Sequence, residues 1–483
     1  MTKKKVIVVG GGITGLTAAY YLKKDIESGN MPFEVTLIEA SGRLGGKIQT
    51  VHKDGFVLER GPDSFLERKK PALNLVKQLG IEDRLVRNST GQARILVDDG
   101  LYNIPAGSYM GIPVRGTALN DSTLISETGK QRVWEELTIP KGAAVSDQSL
   151  GQFLRRRFGD ELIENLVEPL LSGIYSSDID EMSLMASFPM FYELEQTYGS
   201  VIKGLRETLP TGQASTGKRK GQFLTFRNGL ETLVDELFAN LGEDRVRLNT
   251  RLNKVTKAGD AYQLHVNGVE DESSNGNVKE DASRDVILHA DAVMLAVPHP
   301  HLPGMFSGEN LFSSFEQMPM SSVANVVLAF DESAVEQSLD GTGFVVSRNS
   351  EHRMTACTWT HRKWPTTTPK GKALLRVYVG KPSDQAIVTQ SDDELVRVVR
   401  AELEQTMGIT DAPDFTMVTR WQNMMPQYTV GHVDRLQDVD KHLAELFPGV
   451  HLAGSSFKGV GIPDCIKQGK DAARKILTAL KES

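Results

Sequence analysis

The 483-residue chain has only two cysteines, Cys357 and Cys465, and no C-x-x-C pair. That excludes a dithiol redox site and a disulfide framework, and it leads us to expect a reducing, cytoplasmic setting. No apolar run approaches the roughly 20 residues of a membrane-spanning helix. The Lys3–Lys5 run enters a strand directly, without the apolar region of a secretory signal. No transmembrane segment is therefore expected, although peripheral contact with a membrane surface stays compatible. Positive charge is not in excess: 55 Lys and Arg stand against 62 Asp and Glu, a net charge of −7. No global basic field favours nucleic acid as a partner. The 10 histidines show no metal-ligand spacing, and His299 and His301 flank Pro300 without further ligands nearby, so no metal is expected. Internal repeats are missing too.

What is present reads as a globular chain, 40% hydrophobic and 24% charged, and long enough for two or three domains. Lys5 to Val9 is a short apolar run, as expected of a strand buried on both faces of a parallel sheet. Gly10, Gly12 and Gly15 follow in G-x-G-x-x-G register, and an Ala- and Leu-rich helical pattern follows them. The first glycine allows the tight turn, the second lets backbone approach a pyrophosphate, and the third lets helix pack on sheet. Backbone N–H groups of Gly10, Gly11, Gly12, Ile13, Thr14 and Gly15, with the helix dipole behind them, suit phosphate oxygens. Phe33 to Ala40 reads as the second strand and ends in Glu39 beside Ala40. An acid there can accept hydrogen bonds from ribose hydroxyls and repels a 2′-phosphate, which argues against NADP. Only one such fingerprint exists, since Gly341-Thr342-Gly343 lacks the third glycine and the helix. A second dinucleotide-binding domain is therefore not expected.

A second glycine-rich loop, Arg43-Leu44-Gly45-Gly46-Lys47, follows the ribose acid. Here the chain resembles the flavin amine oxidase and porphyrinogen oxidase group, whose signature is R-x-G-G-R. Lys47 replaces the final Arg, keeping the charge and losing the bidentate fork. The block Glu168-Pro169-Leu170-Leu171-Ser172-Gly173-Ile174-Tyr175 is its most specific match to the porphyrinogen oxidases, and matching motifs run from the first strand to the last helix. The resemblance implies FAD as cofactor. It also implies an α/β fold: a Rossmann-like, glutathione-reductase-like domain with an α+β substrate domain and a helical lobe. The FAD-binding part is expected over 1–70, 222–300 and 440–483, the helical lobe over 71–221 and an antiparallel-sheet domain over 301–439.

The same resemblance places Gly61, Pro62, Asp63 and Ser64 beside the isoalloxazine, Leu252 against adenine and Trp421 near the cofactor. The closing strand around Leu452 leads through Gly459, Val460, Gly461 and Ile462 into a helix whose start can stabilise negative charge on a reduced flavin. The activity implied is that of the soluble bacterial type: coproporphyrinogen III goes to coproporphyrin III in haem biosynthesis, with molecular oxygen as acceptor and hydrogen peroxide released. The product would pass to a downstream ferrochelatase. Protoporphyrinogen IX is the alternative substrate; an amine oxidase or a non-enzymatic binder on the same fold is more distant. A tetracarboxylate needs local cations, and the candidates are Arg43, Lys47, Arg68, Lys69, Lys70 and Arg376, with Lys69 preferred. No catalytic base stands out; Tyr378, in a strand pattern, is the one candidate to face the flavin.

At the level of elements, Leu73–Leu79 and Ser149–Leu171 are predicted helices, and Arg155 to Arg157 a solvated helical face. Val246–Val255 is a predicted strand, and five β-rich runs between Val323 and Met425 suggest a mostly antiparallel sheet under a substrate cavity. The stretches 209–222 and 270–285 read as polar excursions.

Overall fold

The computed structural model describes residues 3–89, 93–114, 117–209, 221–267, 286–306, 310–335 and 340–482. Within it, three separated stretches of chain build one five-stranded sheet. Its spatial order is Val246–Arg247, Phe33–Ile38, Lys4–Val9, Ala292–Leu295, Val450–Leu452. Every neighbouring pair is parallel. Side chains alternate across a strand. Val6 and Val8 therefore join one core with Leu16, Leu22, Ile466 and Ile476, from the helices Ile13–Ser28 and Ile462–Glu482. Ile7 and Val9 join another with Leu252, Leu264 and Phe312. That second face is covered by the antiparallel strands Arg251–Ala258, Ala261–Asn267 and Val286–Ala290. Burial on both faces is why the first strand is an unbroken apolar run.

The turn out of that strand needs its glycines. Gly10 has φ +106°, and a Cβ on Gly15 would lie 1.9 Å from the Gly10 carbonyl oxygen, so any larger residue would push the helix off the sheet.

A second, seven-stranded sheet runs in the order Phe415–Pro426, Met320–Asp331, Lys372–Val379, Met354–Trp359, Gly343–Val346, Arg94–Val97, Gly100–Asn103. All its neighbours are antiparallel except 343–346 with 94–97. Along Met320–Asp331, Val326, Leu328 and Phe330 pack under the helix Asp392–Met407. Val327 and Ala329, on the opposite face, meet Phe56 and Leu58. Val323 and Asn325 share that second face and line a cavity.

Four element expectations are corrected. The block 71–221 is not wholly helical, because 94–97 and 100–103 extend the seven-stranded sheet. Val246–Val255 is two strands in different sheets, separated by a turn at Asn249 with φ +51°. The long helix from Ser149 is broken: Leu150–Phe158 ends at Gly159 (φ +84°), and a wide π-turn at Ile163–Val167 precedes Glu168–Tyr175. Pro169 has no N–H for the preceding turn, which the wide turn accommodates. Ser149 does cap the first piece, accepting from the Gln152 N–H at 3.1 Å.

Finally, Arg155–Arg157 is no solvated face. Arg157 is fully buried and donates to Glu136 and Glu195, and Arg155 bonds Asp160, Glu164 and Asp180. Of the expected polar excursions, 210–220 and all of 270–285 lie outside the described residues.

Candidate active site

A cavity of about 1380 Å³ runs from the first strand–helix turn to the face of the seven-stranded sheet. At one end its wall holds Gly10, Gly12, Ile13, Thr14, Glu39, Ala40 and Leu252. The helix Ile13–Ser28 has Gly12 as N-cap with no side-chain cap, and a Cβ on Gly12 would meet no atom within 4 Å. The first-turn N–H groups thus open on free space, which suits an anionic diphosphate. Glu39 is held in place from both sides: it accepts from the Gly11 N–H at 2.6 Å and from the Ser41 N–H and hydroxyl at 2.8 Å. Gly11 and Gly15 stand behind the wall, Gly11 orienting Glu39 and Gly15 seating the helix.

Arg43, Gly46 and Lys47 also line this part. Arg43 braces its own loop, donating to the carbonyls of Gly46 at 2.8 Å and Ile48 at 2.6 Å. Lys47 donates to the Met424 carbonyl, and burial lowers its pKa.

In the middle of the cavity are Gly61, Pro62, Asp63 and Ser64 on one side and Val460, Gly461 and Ile462 on the other. A Cβ on Gly61 would fall 1.8 Å from the Lys47 carbonyl oxygen, so the two loops touch backbone to backbone. Arg376 is 1% exposed, outside the wall, and donates to the Gly61 carbonyl at 2.6 Å. It also lies 3.6 Å from Asp63 and over the Tyr378 ring. Asp63 accepts from Lys363 at 2.8 Å, Trp364 at 3.1 Å and Ser64 at 2.6 Å. Burial acts to raise the Asp63 carboxyl, but Lys363 and Arg376 together hold it well below the ordinary range. Trp421 lines the cavity and donates to the Arg60 carbonyl at 2.9 Å. Gly459 lies just behind, its N–H donating to the Tyr428 hydroxyl at 2.9 Å.

The far half is floored by the sheet. Val323, Asn325, Met354, Ala356 and Tyr378 belong to it, Asn325 standing directly opposite Tyr378. The Asn325 amide nitrogen donates to the carbonyls of Arg60 at 3.0 Å and Glu59 at 3.4 Å. Those two acceptors fix the amide, and among the described residues its oxygen is buried without a partner. Glu168, Asp178, Arg348 and Lys381 complete this end. Arg348 bonds Asp178 at 2.9 Å and Asp180 at 3.0 Å. Among the described residues Lys381 donates only to backbone, to the His352 carbonyl at 3.2 Å and the Ser350 carbonyl at 3.5 Å.

Two substrate-binding expectations are corrected. Lys69 does not line the cavity: its ammonium pairs with Asp464 at 2.6 Å, tying the helix Lys70–Leu79 to the start of the closing helix. Arg376 sits behind the Gly61–Ser64 turn as a brace. Sequence reasoning missed Asn325, Glu168, Arg348, Lys363 and Lys381. A single Asn in the apolar run Val323–Phe330 was a signal for the first, and Glu168 opens the very motif that carried the resemblance.

The whole wall carries seven Lys or Arg against four Asp or Glu, an excess of three positive charges inside a protein of net charge −7. Its chemistry is that of a dinucleotide slot opening into a chamber with an apolar floor, where Arg348 and Lys381 stand against Glu168 and Asp178.

The family model described as flavin containing amine oxidoreductase matches residues 13–477. Coproporphyrinogen III oxidase of Bacillus subtilis (strain 168) is 48% identical over 480 residues, which span 99% of both chains. The protein of that name from Staphylococcus aureus is 41% identical over 484 residues, 99% of this chain and 100% of the other. A crystal structure of a protein from Exiguobacterium sp. 255-15 superposes with a TM-score of 0.85 at 38% identity, covering 99% of this chain and 100% of that one. The chain belongs to the flavin containing amine oxidoreductase family, on the branch that includes the coproporphyrinogen III oxidases.

Proposed function

We propose that the protein is an FAD-dependent oxidase that converts coproporphyrinogen III to coproporphyrin III, with oxygen as acceptor and hydrogen peroxide released. The observation that carries this reading is the continuous cavity: a dinucleotide slot joined to a chamber large enough for a tetrapyrrole. Similarity to coproporphyrinogen III oxidases along the whole chain supports it.

FAD fits the residues present. The N–H groups at Gly12 to Thr14 would take the pyrophosphate, Glu39 the adenosine ribose, and Leu252 would lie by the adenine. Val460 to Ile462, at the start of the closing helix, would face the flavin head. When bound, the flavin supplies a two-electron acceptor. The chain's own part is position and electrostatics. The Arg376–Asp63–Lys363 group holds the Gly61–Ser64 turn rigid, and Trp421 pins Arg60 beside it. The sheet floor, with Val323, Met354 and Ala356, presents an apolar surface to the macrocycle. In this reading 1–70, 222–300 and 440–483 hold the cofactor. The substrate unit is 301–439 joined by strands 94–103, and the rest of 71–221 forms the helical lobe.

Anaerobic mixing of the holoenzyme with coproporphyrinogen III should bleach the flavin absorption, and readmitting air should restore it as porphyrin fluorescence grows. No bleaching with any porphyrinogen would overturn the substrate class. Faster bleaching with protoporphyrinogen IX would reassign the preference to that compound.

A further inference from the structure

Oxidising a porphyrinogen removes a hydride from a meso carbon and a proton from a pyrrole nitrogen, so the chamber needs a group to accept that proton. Other titratable groups in its wall fail that requirement: Asp63 is held by Lys363 and Trp364, and the His352 ring is engaged by Asp99 at 3.2 Å. Tyr378 is a phenol whose pKa burial raises further. The Asp178 carboxylate is engaged by both outer nitrogens of Arg348, at 2.9 Å each. His301 stands by the Ala296–Pro298 turn that backs Gly10, at the dinucleotide end.

Glu168 differs from them. It is the first residue of the helix Glu168–Tyr175, and its side chain is 8% exposed yet lines the cavity. Among the described residues its carboxyl receives no hydrogen bond, and the nearest cation, Arg348, is 3.9 Å away. The charged groups around it are Arg348, Asp178, Arg155 and Asp180. Arg348 and Arg155 are already shared among Asp178, Asp180, Asp160 and Glu164. This corner therefore has more carboxylates than cations. It repels propionates and welcomes N–H donors, which a porphyrinogen presents at its centre and nowhere at its edge. Burial pushes the Glu168 carboxyl up to about 7, with Arg348 opposing, close to the working pH that favours transfer in both directions.

We propose that Glu168 is the catalytic base, accepting the pyrrole N–H proton as the substrate is oxidised. The N–H bond breaks and its proton goes to the carboxylate. Its electron pair forms the new carbon–nitrogen double bond, while the meso C–H hydrogen leaves with its pair for the oxidised flavin of the proposed holoenzyme. The protonated carboxyl then returns the proton to water through the cavity mouth. This inference rests on the porphyrinogen reading above.

The test is a stopped-flow comparison of wild type, E168Q and E168D holoenzymes with coproporphyrinogen III, without oxygen, across the pH range. The wild-type bleaching rate should rise with pH through about 7. In E168Q it should fall about 100-fold and lose that rise, and E168D should recover part of both. Independently of turnover, the wild-type minus E168Q infrared difference of the flavin-free proteins, in which the Glu59 carboxyl cancels, should show a protonated-carboxyl band that titrates in this range. Wild-type-like rates or an unchanged pH rise in E168Q would overturn the assignment, as would loss of flavin binding in E168Q, which would make Glu168 structural. Failure of the wild type itself would instead sink the substrate reading.

Discussion

Asp63 shows how single residues set the middle of the cavity. Its carboxylate is 12% exposed and is held by Lys363, 15% exposed, at 2.8 Å. Removing one partner of a buried pair leaves the other charge without compensation. K363M should lose about 3 kcal/mol at neutral pH, read by urea unfolding. Asp63 has a depressed pKa in the folded protein. Its contribution is therefore present above the unfolded carboxylate value of about 3.9 and lost as pH falls below it. The gap between K363M and wild type should narrow in acid; a gap constant with pH would show that Lys363 acts by packing alone.

Glu59 behaves in the opposite sense. Burial pushes it up to about 7, although the Leu230 N–H at 2.6 Å and the Thr50 hydroxyl at 3.0 Å donate to it. Its raised pKa means that stability is full below about 4.3 and declines as pH rises through 7. E59Q should remove that decline and be the more stable protein at alkaline pH, by about 1 kcal/mol or more in thermal unfolding. Equal pH profiles for the two would show that Glu59 does not titrate with folding. At this scale the glycine loops and Glu39 were legible because backbone geometry alone demands those residue types. Lys69 and Arg376 were not, since their partners Asp464 and Gly61 lie hundreds of positions away in sequence, and nothing local reveals that a cation is already neutralised or committed.

Among the elements, the broken helix after Ser149 carries the most consequence, because its last piece begins with Glu168. Gly159 has φ +84° and ψ +165°, a conformation open essentially to glycine. A Cβ there would also lie 2.6 Å from Arg132 Cγ. G159A should cost about 2–3 kcal/mol in thermal unfolding, the strain of that backbone. A loss below 1 kcal/mol would mean that the break relaxes without it. The first strand, the closing helix Ile462–Glu482 and five strands of the larger sheet were legible from apolar runs bounded by Gly and Pro. The break was not, since 150–171 carries an amphipathic pattern throughout, and nothing local tells Gly159, where the helix ends, from Gly151, which stays within it. Strands 94–97 and 100–103 are four residues each. They owe their place to the sheet edge at Gly343–Val346, a long-range pairing that no local pattern encodes.

At the scale of the molecule, the net charge of −7 and the cationic cavity pull a polyanionic substrate in opposite directions. Distance decides between them. An approaching tetracarboxylate first meets the field of the whole surface, which repels it, and reaches the cavity cations only within a few ångströms of contact. Raising ionic strength from 0.01 M to 0.1 M shortens the Debye length from about 30 Å to about 10 Å. Such salt removes the long-range repulsion and leaves contacts inside a partly enclosed cavity less affected. For coproporphyrinogen III, kcat/KM should therefore rise over this interval, and rise more than for protoporphyrinogen IX with its two carboxylates. A fall in kcat/KM with salt for both compounds would mean that the positive excess of the cavity wall already reaches past the surface and governs capture.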